Sequence, residues 1–106
     1  MPGLAAVKDE ADMNTANLQL EGLYAALAAL MNAIRDKGVL SADEIEKLLR
    51  DAEVLNAGGS RKLSDANREA VLFPFRYLRA ANKAAAGGEP RSFFDIATEI
   101  GMTKDD

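Results

Sequence analysis

Arg68, Arg76, Arg79 and Lys83 are the side chains of this sequence whose type and spacing most readily suggest recognition chemistry. At roughly 100° per residue on a helix they fall within about an 80° arc. Leu72 and Phe75 share that side, while Phe73, Tyr77, Ala81 and Ala84 point roughly opposite. A basic stripe with two apolar anchors suits an acidic protein surface or a phosphate, because guanidinium forks grip carboxylate and phosphate at two points. The same pattern also serves as a solvated face whose arginines pair with Asp and Glu of this chain or of a second copy. The candidate partner-binding set is Arg68, Leu72, Phe75, Arg76, Arg79 and Lys83. Reversing the charge of Arg76 and Arg79 together is expected to spare the fold and end partner capture.

Catalytic groups are scarce. The chain has no His, no Cys and no Trp. It therefore lacks an imidazole base, a thiolate nucleophile, disulfides and the commonest transition-metal ligands. The carboxylate pairs Asp9-Glu10 and Asp43-Glu44 have simpler roles, the second as first-turn charges that complement a helix dipole. There is no calcium-loop spacing, Gly-rich phosphate loop or nucleophile elbow. No catalytic residue, metal ligand or cofactor site is assigned.

Charge is unevenly spread along the 106 residues, whose net charge is −4. Seven basic and three acidic residues between Ser60 and Arg91 give a local +4, and six basic against fourteen acidic residues elsewhere give −8. An acidic body with one basic helix disfavours general nucleic-acid affinity and favours self-association or an acidic protein partner.

These groups must be positioned by helices, since no strand signal and no internal repeat is present. Residues 1–13 read as a flexible arm, and 14–106 as one helical domain. A long helix is expected from a cap at Asn14 or Thr15 to Lys37, stopped by Gly38. Its apolar residues Leu20, Leu23, Tyr24, Leu27, Leu30, Met31 and Ile34 recur in steps of three and four, as along a coiled-coil seam. Ala25, Ala26, Ala28, Ala29 and Ala33 fill the other faces, so this helix wants cover on more than one side. Its seam is the candidate oligomer interface.

Ser41 and Glu44 form a capping box, with Leu40 and Ile45 placed as a hydrophobic staple. They open a second helix over about 42–56, folded back on the first as an antiparallel hairpin. After a loop at Asn56–Lys62, Ser64 caps a third helix over about 65–86, where Pro74 predicts a kink or a break near Phe73. Phe73, Phe75 and Tyr77 around that proline read as core or oligomer-interface bulk. Ser92 and Asp95 cap a short fourth helix expected to stop at Gly101.

That last segment, Ile96-Ala97-x-x-x-Gly101-Met102-Thr103, resembles the first helix and turn of a helix-turn-helix motif. The resemblance implies that Ala97 packs on a following helix, Gly101 makes the turn and Thr103 caps a recognition helix. Only Lys104, Asp105 and Asp106 come after Thr103, so the recognition helix itself has no counterpart.

The expected fold is all-α: a bundle of three to four helices with a long central helix, an antiparallel hairpin and a Pro-kinked third helix. The expected function is that of a non-enzymatic interaction or regulatory protein acting as a homo-oligomer, a dimer before a tetramer. One alternative is a nucleic-acid binder using the basic stripe and the partial helix-turn-helix at the C-terminus, which would show steep salt dependence. Another is a small enzyme subunit with a Tyr77, Lys or carboxylate site between protomers. That would require a concave pocket with a strongly perturbed titratable group. The most apolar stretch, Gly22–Ile34, is 13 residues, below the roughly 20 a membrane span needs. With no basic-then-apolar leader, the expected location is cytoplasmic.

Overall fold

The computed structural model describes residues 4–58 and 62–105, with the side chains of 15–58 and 62–101. Four helices pack into a small all-α bundle: α1 (Leu4–Asp36), α2 (Ala42–Ala57), α3 (Asp65–Ala86) and α4 (Phe93–Asp105). Among the described residues there is no strand.

The junctions follow local chemistry. Gly38 adopts a φ of 75°, which lets its N–H reach Arg35 O while Val39 N–H reaches Ile34 O. Together these bonds satisfy the last carbonyls of α1 in a Schellman closure. Gly88, at φ 84°, closes α3 the same way, with bonds to Ala85 O and from Glu89 to Ala84 O. At the start of α2 both halves of the capping box form: Glu44 N–H donates to Ser41 Oγ, and Ser41 N–H donates to Glu44 Oε1. Ser64 accepts from Asn67 N–H at α3, and Ser92 accepts from Asp95 N–H at α4.

Three expectations need correcting. Helix α1 begins at Leu4, not near Asn14 or Thr15. Residues 4–13 are mostly strong helix formers without Gly or Pro, and that propensity outweighs the two potential caps. Residues 1–3 of the expected arm, and 59–61 of the expected loop with Arg61, lie outside the described residues. Second, of the kink or break expected near Phe73 the break is absent: α3 runs unbroken through Pro74, although the imide forgoes the bond to the Ala70 carbonyl. Third, α4 continues through Gly101 to Asp105. Gly101 lacks a positive φ, so it makes no turn and the helix-turn-helix resemblance ends there.

Helix α2 packs chiefly on α3 and only lightly on α1. Ion pairs and hydrogen bonds match Glu53 with Arg76, Glu46 with Arg79 and Ala42 with Asn82, so α2 and α3 are antiparallel. Helix α1 runs parallel to α3, with Tyr24 beside Phe73 and Arg35 beside Asn82. The core gathers Met31, Ile45, Leu49, Tyr77, Ala81 and Ile96. Ile96 is 1% exposed, and burying such a side chain contributes about 2–3 kcal/mol.

Candidate functional site

The basic stripe of α3 is largely committed within the chain. Arg79 donates from Nε to both carboxylate oxygens of Glu46 (3.2 and 3.0 Å) and from Nη1 to Glu53 (2.8 Å). Arg76 donates from Nε to Glu53 (3.2 Å) and from Nη1 to Glu69 (2.5 Å). Arg50 joins the ladder through Glu46 at 2.8 Å. Hydrogen bonding from Arg79 holds the Glu46 carboxyl below the ordinary carboxylate range, although burial works the other way. For Arg76 burial opposes the charge, but the bonds it donates to Glu69 and Glu53 outweigh it and its pKa lies above the usual value. The Arg79 guanidinium is thus engaged by Glu46 and Glu53 of α2, and that of Arg76 is shared between Glu53 of α2 and Glu69 of α3. Reversing Arg76 and Arg79 would set carboxylates against Glu46, Glu53 and Glu69, so it would disturb the fold it was expected to spare.

The remaining members of the set separate. Leu72 is buried at 5% exposure and serves the interior, not an outer anchor. Phe75 is half-buried, and Arg68 and Lys83 are exposed near either end of α3. Pairing of the stripe within the chain is expected from sequence, but its chief acids, Glu46 and Glu53, are not singled out there. Their i,i+7 spacing puts both on one face of α2, which was the available signal.

Helix α1 divides its apolar residues between two faces. Tyr24, Ala28 and Met31 turn into the bundle. Leu20, Leu23, Leu27, Leu30 and Ile34 remain 46%, 54%, 39%, 62% and 39% exposed. Those five follow a strict 3-4-3-4 spacing and occupy about an 80° arc of the helix. Taking Leu20, Leu27 and Ile34 as a positions makes Tyr24 and Met31 e positions, already used by the chain's own core. The g positions are Gln19, Ala26 and Ala33, short or uncharged. Spacing alone had merged the two faces into one seam of seven.

A second feature lies where α1, α3 and α4 meet. Tyr24, Phe73, Tyr77 and Phe93 form one aromatic stack, with centroids 5.1–5.6 Å apart for Tyr24–Tyr77, Tyr24–Phe93, Tyr24–Phe73 and Tyr77–Phe93. Burial pushes both tyrosine hydroxyls up in pKa, and for Tyr77 the charge of Glu21 adds to it. Beside the stack opens a trough of about 780 Å³. Leu18, Leu20 and Tyr24 line it from α1, Ala66, Ala70 and Phe73 from α3, and Phe93, Ala97, Ile100 and Gly101 from α4. Its polar lining is Asn17, Glu21, Glu69 and Arg76.

Among the described residues no group of three or more Asp or Glu side chains is placed to hold a metal ion. No helix among them is long and apolar enough to cross a membrane. In comparisons with known proteins no family model matches the chain, and no significant match is found among curated proteins or solved structures.

Proposed function

We propose that this chain is a non-enzymatic interaction module that works as a homodimer through the exposed seam of α1. The observation that carries this reading is the row Leu20, Leu23, Leu27, Leu30 and Ile34, exposed on one side of a helix whose other apolar side is packed. Monomers rarely leave so continuous an apolar strip in water. A two-fold contact sets the same surface against itself, so it must carry no like charges that would meet. Residues 22–34 contain no charged residue at all. Ala26 and Ala33 beside the seam let two helices approach closely.

Size-exclusion chromatography with light scattering tests this at low and high salt. A species of twice 11.3 kDa is expected at both, because apolar contact is not screened. The Leu23→Glu, Leu30→Glu variant should run as a monomer with unchanged helicity, since both side chains lie outside the core. A wild-type monomer at about 100 µM, a concentration well above a micromolar Kd, overturns the proposal.

A further inference from the structure

We propose that the trough between α1, α3 and α4 binds an amphipathic helix of a partner protein, with an apolar face flanked by Lys or Arg. The inference rests on the reading of this chain as an interaction module, and of the seam residues only Leu20 is shared with the trough. Shape comes first. On α3 the lining runs from Ala66 to Arg76, about 15 Å along the axis, or nearly three helical turns. The trough is partly open to solvent and walled by three helices, a setting in which a further helix can lay its apolar face. Ala66 and Ala70 on one wall, and Ala97 and Gly101 on the other, are small residues one turn apart. Small walls leave room for an incoming backbone, while Tyr24, Phe73 and Phe93 offer ring surface between them.

Charge selects the occupant. Glu21 and Glu69 lie on different helices of the lining. Arg76 answers Glu69 but also serves Glu53, and no cation among the described residues pairs with Glu21. A basic side chain on the incoming helix would meet that carboxylate and could rest on the electron-rich ring faces beside it. The chain's own apolar stretch, residues 22–34, carries no cation, so a second copy is the poorer fit.

The test uses fluorescence anisotropy with a labelled synthetic helix of about fourteen residues, Leu at i, i+3, i+4 and i+7, Ala elsewhere, and Lys flanking the apolar face. The full-length wild-type chain should bind it. A Cβ added at Gly101 meets nothing within 4 Å, and the residue has no positive φ, so Gly101→Leu fills the trough without strain. That variant should weaken binding about tenfold or more at unchanged circular dichroism. Glu21→Lys should weaken it several-fold, as should replacing the peptide's Lys by Glu. The Leu23→Glu, Leu30→Glu chain should bind as the wild type does, even as a monomer. A wild-type monomer that still binds would sink the dimer reading and leave this one standing. No binding by wild type, equal binding by Gly101→Leu, or binding lost only in the seam variant overturns the proposal. Loss of dimer in Gly101→Leu would assign the trough to a second copy and overturn it equally.

Discussion

Asn82 is the buried polar side chain among the described residues, at 2% exposure, and it joins three helices. Its Oδ1 accepts from Arg35 Nη1 at 2.8 Å, and its Nδ2 donates to the Ala42 carbonyl at 3.0 Å. Arg35 also donates to Asn32 Oδ1 at 2.9 Å, so the end of α1 is tied to α3 and, through Asn82, to the start of α2. Such a group costs little when satisfied and much when its partners are orphaned. Asn82→Ala should therefore lose about 1–2 kcal/mol in urea denaturation, because it removes both tertiary bonds and leaves Arg35 Nη1 without its acceptor in a half-buried site. A loss below about 0.5 kcal/mol would mean that water replaces the amide and the tie is incidental. Periodicity alone would have placed this residue on a polar face. Only the convergence of three helices, which lies outside local sequence, makes it interior.

At the scale of elements, the α2–α3 contact depends on the ladder of Arg50, Glu46, Arg79, Glu53, Arg76 and Glu69. The Glu46 pKa is lower in the folded chain than in the unfolded one. Its contribution to stability is therefore complete above the ordinary carboxylate range and is lost as pH falls through the lowered value. Urea midpoints measured from about pH 7 down to about pH 3 should drop across that acid window. Glu46→Gln should start lower at neutral pH and show a flatter acid limb; identical slopes would remove Glu46 from the ladder. Boundaries of α2 and α3 were legible because Ser41, Glu44, Ser64 and Gly87-Gly88 write them locally. The start of α1 was not, because Asn14 and Thr15 are caps only if the preceding residues fail to be helical. The partner of the basic stripe was illegible for a different reason. Which face of α2 meets α3 depends on tertiary pairing, and a short α1–α2 connection suggested the wrong neighbour as chief contact.

The whole molecule is extended for its size. Its radius of gyration is 16.1 Å, against about 13 Å for a compact chain of this length. The longest extent, 49 Å, matches the roughly 50 Å of a 33-residue helix. On the dimer proposal, association through the seam adds to the stability of a folded protomer whose own core is small. The melting temperature should rise by several degrees over about a hundredfold increase in protein concentration, by mass action. The Leu23→Glu, Leu30→Glu variant should melt at one temperature throughout, and a concentration-independent wild type would separate folding from association. One more property comes with the aromatic stack. The sequence has two tyrosines and no tryptophan, and Tyr24 and Tyr77 both sit in that stack. The molecule thus carries a built-in optical reporter: its near-ultraviolet signal watches the junction of α1, α3 and α4 and, through Tyr77, the core that α2 covers with Ile45 and Leu49. Compared with far-ultraviolet ellipticity, which counts all four helices, that signal can tell loosening at the trough from melting of the bundle without any label.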